Sequence, residues 1–139
     1  MKRALQEAEL AFEKNEVPIG AVIVINDQII ARAHNLTEML NDVTAHAEMQ
    51  AFTAAADYLG GKYLKDCTLY VTLEPCQMCA GASYWAQLAQ IVAGAHDPPR
   101  GFQECKTQKH PKTKIVGGVL EQECGAIIKR YFIQKRNLN

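Results

Sequence analysis

The segment Glu74-Pro75-Cys76-Gln77-Met78-Cys79, together with Thr44-Ala45-His46-Ala47-Glu48, decides how this chain is interpreted. His46, Cys76 and Cys79 offer one imidazole and two thiols, which are ligand types that zinc prefers. Three protein ligands leave a fourth position for a water, and that open position distinguishes a catalytic zinc site from a structural one. Glu48 stands two residues after the histidine, where its carboxylate could move protons on and off that water. We therefore predict one zinc ion per chain.

Other interpretations of the same residues remain open at this point. A C-x-x-C at a strand-to-helix turn could be a thioredoxin-like redox pair, but His46 and Glu48 would then have no role. Unrelated core residues could share this spacing by coincidence. A closed structural zinc would need a fourth ligand, and none of the candidates has paired-ligand spacing: Cys105, His34, His96 and His110. The open catalytic site is favoured because it alone uses the glutamate, the proline and the helix starts together.

Length and composition indicate one globular domain over residues 1–139, with 48% apolar and 22% charged residues. No apolar run approaches the roughly 18 residues of a membrane span, and the first residues do not resemble a signal peptide. We therefore expect a cytoplasmic protein without a membrane partner. Of the five cysteines, Cys67, Cys105 and Cys124 lie on or near apolar stretches and are interpreted as plain thiols.

The net charge of zero conceals an asymmetry between the two parts of the chain. Residues 1–99 carry 6 Lys and Arg against 12 Asp and Glu, whereas residues 100–139 carry 9 against 3. A basic end on an acidic domain is typical of a surface that binds a polyanion. A solvated lysine-rich surface would give the same count.

Hydrophobic periodicity predicts alternating helices and strands. The predicted elements are a helix over residues 2–14, strands over 21–25 and 28–33 joined by a tight turn at Asn26-Asp27, a helix capped by Thr44 and ended by Gly60, a strand over 68–72, a helix with Pro75 in its first turn, a strand over 90–95, a surface loop over 97–114 and a helix over 120–135. Strands that alternate with helices form parallel pairs covered on both faces. The predicted fold is therefore a three-layer α/β/α sandwich with a mixed central sheet, entered through an antiparallel hairpin.

Helix geometry constrains how the motif residues can share one target. Residues two apart on a helix point about 200° away from each other, so His46 and Glu48 can converge only where the chain bends into the helix. Cys76 and Cys79 are three apart and fall on one face of a first turn. The helix dipole there favours thiolates, which prepares both sulfurs for a metal.

The motifs and their surroundings resemble the cytidine deaminase superfamily. H-x-E followed by P-C-x-x-C is the pattern of zinc-dependent nucleobase deaminases. Residues 16–22, 42–48, 68–76 and 78–82, with the closing Glu123-Cys124 helix, are similar to blocks of its bacterial tRNA-specific adenosine deaminases, which convert the wobble adenosine to inosine. The resemblance runs nearly from end to end and implies a cytidine deaminase-like fold.

The resemblance also implies a role for individual residues. His46, Cys76 and Cys79 would bind zinc, and Glu48 would be the proton shuttle. Asn35 would hydrogen-bond the base or ribose of the flipped-out nucleotide, and Ala47 with the turn at Glu74-Pro75 would border the base pocket. Without the resemblance, Asn35 is more typical of a turn residue closing the hairpin. The family is typically homodimeric, which implies a homodimer here. Its contacts with the tRNA anticodon loop imply that the RNA would be contacted through Asp97, Arg100, Lys129, Arg130, Lys135 and Arg136.

Two further hypotheses come from different classes. Ser83-Tyr84-Trp85-Ala86 is similar to guanine deaminases with the same zinc site, and residues 98–102 depart from the usual small, glycine- and alanine-rich loop. A free purine such as guanine, or a nucleoside, is therefore the alternative substrate, although we expect Tyr84 and Trp85 to pack behind the cysteines. A zinc-containing RNA-binding protein without catalytic activity is the third hypothesis, and Glu48 argues against it.

Overall fold

A five-stranded mixed sheet forms the middle layer of the computed structural model, which describes residues 1–103 and 106–138. Over these residues the elements follow in the order α1 (Lys2–Glu13), β1 (Gly20–Ile25), β2 (Gln28–His34), α2 (Ala47–Leu59), β3 (Thr68–Leu73), α3 (Gln77–Ala86), β4 (Gln90–Ala95), β5 (Lys114–Val116) and α4 (Glu121–Leu138). No helix in this part of the chain is long and apolar enough to cross a membrane.

The sheet has the order β2-β1-β3-β4-β5, with β1 antiparallel to both β2 and β3. The pairs β3–β4 and β4–β5 are parallel. Asn26 and Asp27, with φ of 51° and 60°, form the two-residue turn between β1 and β2. Positive φ at both positions is what a type I′ hairpin turn requires, and Asn and Asp tolerate it well.

Side-chain alternation along the strands places one helix pair on each face of the sheet. On one face, Ile23, Leu69 and Ile91 join the buried residues of α2 in the main hydrophobic core. On the other face, Gly20 lies so close to α1 that a Cβ would overlap Ala4, and a Cβ at Gly94 would overlap Cys124 of α4. With α2 contacting α3 and α1 contacting α4, the predicted three-layer sandwich with a mixed sheet is confirmed.

Two predicted helix starts are wrong. Thr44 does not cap α2, because its backbone N–H and its hydroxyl both donate to Asp42 Oδ1, at 2.8 and 2.7 Å. The N-cap of α2 is His46. Pro75 does not occupy the first turn of α3, since the N-cap is Cys76, whose extended backbone separates the proline from the helix. In both helices a metal-type side chain takes the cap position, where the chain bends.

The C-terminal third departs from the prediction in two places. The expected loop over 97–114 ends in β5, a three-residue strand too short to show an alternation pattern. Leu120, expected to begin the last helix, has a φ of 53° and precedes α4 instead. Cys124, Ile127 and Tyr131, at helical spacing, form the buried side of α4, as an amphipathic last helix requires.

Candidate active site

Two helix N-termini meet at the carboxyl end of β3. His46 and Cys76 are the N-caps of α2 and α3, with extended backbone angles of −68° and 155°, and −72° and 174°. Neither side chain makes a capping hydrogen bond, so the first N–H groups of each helix have no cap side chain as partner. The positive ends of both helix dipoles therefore favour negative charge at this point.

His46, Cys76 and Cys79 come together there. Nδ1 of His46 lies 3.6 Å from Cys76 Sγ and 3.5 Å from Cys79 Sγ, and the three ligand atoms all lie within 4.8 Å of one another. Among residues 1–103 and 106–138 these three form the one group of metal-type ligands. One imidazole nitrogen and two sulfurs around a common point fit a metal ion, and their chemistry suits zinc.

The two thiols are electrostatically unequal. A hydrogen bond from the Cys79 thiol, followed by one from His46, lowers the pKa of Cys76 to about 4. The same contact with Cys76, together with burial, raises the pKa of Cys79. The hydrogen bond to Cys76 also raises the pKa of His46. Without a metal, the contact between the two thiols therefore favours a thiolate at Cys76 and a protonated thiol at Cys79.

Glu48 is the acid–base group of this cluster. Its side chain is buried, and Glu48 and Cys79 share a hydrogen bond. Burial raises the pKa of the carboxyl to about 7, and the negative charge of Cys76 adds to the rise. A general acid–base group works best when its pKa lies near the working pH. Glu48 can therefore both accept and release a proton here.

A pocket of about 130 Å³ opens onto Glu48, His46 and Cys76. It is small, so it suits a single ring system better than a larger ligand. The remaining lining residues are Val17, Ile19, Leu73, Glu74, Asp97, Arg100, Ile128 and Phe132. The walls are thus mainly apolar, while the polar groups lie at the floor and on one side, an arrangement suited to a flat ring that carries polar substituents.

The residues predicted to border the substrate are placed unequally. Ala47 and Pro75 are buried beside the site but do not line the pocket. The Asn35 amide donates to Val17 O at 3.3 Å, and its oxygen accepts the N–H of Thr37 at 3.3 Å. Asn35 is therefore hydrogen-bonded within a turn, in agreement with the interpretation of Asn35 as a turn residue. Its contact with a nucleotide stays a prediction.

The six predicted RNA contacts separate into three groups. Asp97 and Arg100 line the pocket. Arg130 pairs with Glu9 at 3.0 Å and lies over the Phe12 ring, and Lys135 lies over the Tyr131 ring. Lys129 and Arg136 are exposed at helical spacing from Phe132, on the side of α4 that forms the pocket wall. Lys129 and Arg136 are thus the helix cations best placed beside the site.

The candidate fourth ligands of a closed site are engaged elsewhere, as far as the structure describes them. His34 contacts Glu7 at 2.9 Å and Lys14 at 3.0 Å, and His96 contacts Glu74. Nδ1 of His110 accepts the N–H of Lys112. Cys105 lies outside the described residues.

The expectation that Trp85 packs behind the cysteines is wrong. Its side chain is 76% exposed, whereas Tyr84 is partly buried and contacts the His110 ring edge-on. Cys79, Ala80 and Ser83 form the buried side of α3, and Trp85 is turned away from that side. Neither aromatic ring lines the pocket.

Sequence reasoning missed several pocket residues. The apolar positions of the last helix predict that Ile128 and Phe132 pack in the core, but both line the pocket, and their four-residue spacing places them on one face of the helix. Glu74 lines the pocket, as expected for the turn at Glu74-Pro75. No sequence pattern predicts its contacts, because its partners are backbone N–H groups of a distant loop.

Comparison with known proteins gives concordant results. The model of the MafB19-like deaminase family matches residues 1–137. A tRNA-specific adenosine deaminase of Bacillus subtilis (strain 168) is 46% identical over 142 residues, covering 98% of this chain and 88% of that protein. A structure from a study of A-to-I editing by tRNA:A34 deaminases at the wobble position of transfer RNA has a TM-score of 0.84 and 42% identity, covering 91% of this chain and 96% of the other. A Bacillus subtilis guanine deaminase has a TM-score of 0.66 and 38% identity, covering 76% and 64%.

Proposed function

This chain belongs to the deaminase family of its tRNA-specific adenosine deaminase relatives, and we propose that it hydrolyses adenosine to inosine at the wobble position of a tRNA anticodon loop. The single observation that supports this most is the position of Glu48, a buried carboxyl in contact with Cys79 at the floor of the pocket. Because this acid–base group adjoins three metal-type ligands, the site is suited to hydrolysis rather than to redox chemistry.

His46, Cys76 and Cys79 would hold the zinc ion. When bound, zinc supplies Lewis acidity and lowers the pKa of a water toward neutrality. The positive ends of α2 and α3 favour the thiolates that this ligand set requires. His46 and Cys76 are the N-caps of α2 and α3, and Cys79 lies in the first turn of α3. The two helices therefore hold the three ligands in place before any metal binds.

Glu48 carries the proton through the reaction. It takes one from the attacking water and delivers it to the ring nitrogen, and it then transfers the remaining water proton to the leaving amine. Water adds at C6 of adenine, the bond from C6 to the exocyclic nitrogen breaks, and the products are inosine and ammonia. Burial raises the pKa of this carboxyl above its usual range, which suits a group that must both accept and release a proton.

The pocket walls would receive the flipped-out base. Val17, Ile19 and Leu73 offer apolar surface to the faces and edges of a purine ring. A base must leave its stack to enter the pocket, and this unstacking costs less free energy for a loop nucleotide than for a paired one. Arg100 at the pocket and the exposed Lys129 and Arg136 on α4 would contact the phosphates on either side.

Ammonia release from four substrates tests this proposal. The protein is incubated separately with an anticodon stem-loop, adenosine, cytidine and guanine. Release from the stem-loop, with little from the other three, is the expected result. Release only from guanine would contradict it and support the free-purine alternative, which the likeness to a guanine deaminase at 38% identity favours. RNA binding with no ammonia from any substrate would instead support a non-catalytic RNA-binding protein.

The proposed function includes two further properties. A homodimer is expected from the family resemblance, and light scattering on the purified protein would show twice the 15.4 kDa chain mass if it forms. A tRNA substrate would place the protein in the cytoplasm.

A further inference from the structure

Glu74, the residue after β3, has a buried carboxylate with partners on a single loop. Its side chain is 3% exposed. Oε1 accepts the backbone N–H of Asp97 at 3.1 Å and contacts Nδ1 of His96, while Oε2 accepts the N–H of Gln103 at 3.1 Å. One side chain thus binds the first and last parts of the segment 96–103, which we call the rim loop.

The segment that carries Glu74 holds the rim loop at further points. The N–H of Phe102 donates to Pro75 O at 3.0 Å, and Gly101 forms an antiparallel bridge with Cys76. A Cβ at Gly101 would overlap the Glu74 carboxylate, so the close approach of loop and carboxylate requires glycine. The rim loop is therefore anchored to three consecutive residues, the last of which is a metal-type ligand.

The rim loop in turn supplies one side of the pocket. Asp97 and Arg100 both line it, and Arg100 Nε lies 3.5 Å from Asp97 Oδ2. Within the loop, the N–H groups of Arg100 and Gly101 donate to Asp97 O, at 3.2 and 2.6 Å. The Arg100 side chain is 71% exposed, so little besides the loop backbone and Asp97 fixes its position.

We propose that Glu74 is a positioning residue for substrate recognition: its carboxylate fixes the rim loop, so that Asp97 and Arg100 stand at the pocket and contact the RNA next to the target nucleotide. This inference rests on the proposed function. Glu74 also lines the pocket, but both its oxygens are engaged by the loop, so it acts through that loop and not on the base.

A carboxylate suits this position because each of its oxygens can accept a hydrogen bond from a different part of the loop. A glutamine has the same shape but only one acceptor oxygen, so its NH₂ group would face one backbone N–H. The buried N–H left without an acceptor costs free energy, which the loop would avoid by moving. Glu74→Gln should therefore loosen the rim loop without removing a metal-type ligand.

Steady-state kinetics of Glu74→Gln on an anticodon stem-loop test the inference in the full-length protein. We expect KM to rise about tenfold, the loss of one charge-assisted hydrogen bond, with kcat within about twofold of wild type and zinc content unchanged. Glu13→Gln, an exposed glutamate of α1, is the matched control and should leave both constants unchanged. A lower kcat at constant KM, or no change in either constant, would overturn the proposal.

Gly101→Ala approaches the same contact from the loop side and leaves Glu74 in place. We expect it also to raise KM, and we expect the double variant with Glu74→Gln to raise KM no further than the worse single variant, because both act on one contact. If the two effects multiplied, the residues would act independently and the proposal would be wrong.

Amide hydrogen exchange separates this inference from the proposed function. In Glu74→Gln the backbone amides of Asp97 and Gln103 should exchange faster than in wild type, whatever the substrate is. Unchanged exchange at both would overturn the anchoring role. A wild-type protein that deaminates no RNA would refute the proposed function alone, and the kinetic comparison would then use whichever substrate releases ammonia.

Discussion

His46 and Cys76, 30 residues apart, occupy the same position at the start of two different helices. Each is an N-cap with extended backbone, so each side chain leaves the helix mouth toward the other, and Nδ1 lies 3.6 Å from Sγ. Glu48 and Cys79 then follow in the first turn of each helix. This relationship explains how residues two apart in sequence, His46 and Glu48, serve one site.

Metal content depends on the three converging side chains. Cys76→Ser and His46→Ala should each lose most of the zinc, expected at about one per chain, because two remaining protein ligands bind it weakly. Both variants should also unfold at lower temperature, since a metal that binds only the folded state stabilises it. Elemental analysis and thermal denaturation measure these effects. Cys67→Ser removes a buried thiol outside the cluster and should keep its zinc.

Thiol reactivity of the metal-free protein should follow the pKa values. With a pKa of about 4, Cys76 is a thiolate throughout the neutral range, so its alkylation at about pH 6 should be fast. Burial raises the pKa of Cys67 and of Cys124, the latter to about 11, so both should react slowly until the pH is well above neutral. Peptide mass spectrometry after iodoacetamide treatment ranks the three sites. Equal labelling of Cys76 and Cys67 would contradict the asymmetry, and added zinc should protect Cys76.

RNA affinity should depend on the cations beside the pocket. Replacing Lys129 and Arg136 by alanine should weaken stem-loop binding and reduce the salt slope of log K by about 0.7 for each phosphate that the protein no longer neutralises. Lys65→Ala with Lys112→Ala is the control, because it removes the same charge far from the site. These two lysines line a pocket with Leu88 and Ala89 at the amino ends of the parallel strands, whereas the site lies at their carboxyl ends. Filter binding over a salt series distinguishes the pairs. An equal weakening in both would mean that only overall charge matters.

Two glycines near α4 should respond oppositely to alanine. A Cβ at Gly94 would overlap Cys124, so Gly94→Ala should lower the free energy of unfolding by about 1–3 kcal/mol. A Cβ at Gly125 would meet only Ala95, at an ordinary 4.0 Å, and Gly125 lies inside a helix. Gly125→Ala should therefore stabilise the protein by up to about 1 kcal/mol. Urea denaturation measures both, and destabilisation by Gly125→Ala would contradict the described packing of α4.

The sequence predicts much of the fold because the local sequence preferences agree with the structure that the whole chain forms. The β-branched run at 21–25, the turn at Asn26-Asp27 and Gly60 at the end of α2 each have one well-fitting local structure. Thr44 shows where such reasoning fails. Thr44 is a good capping residue, but its hydroxyl donates to the nearby Asp42 instead. The cap position is taken by His46, whose side chain contacts cysteines about 30 residues later in the sequence.

The candidate site likewise has a part that the sequence predicts and a part that it does not. The sequence predicts the ligand cluster because each ligand motif lies within one short segment of the chain. The sequence does not predict that Phe132 lines the pocket or that Glu74 holds the rim loop, because both depend on residues far away in sequence. Trp85 is a residue for which the sequence prediction fails. It is apolar and lies on an amphipathic helix, yet it is exposed to solvent instead of facing the core.

The most direct test of Glu48 as the proton shuttle is inosine formation by Glu48→Ala, compared with wild type at matched zinc content. Both proteins are incubated with an anticodon stem-loop that has adenosine at the wobble position, and inosine is measured after nuclease digestion. We expect conversion by wild type, and a rate lower by about a hundredfold or more for Glu48→Ala although its zinc is retained. Conversion by Glu48→Ala at the wild-type rate would contradict the role of Glu48 as the proton shuttle.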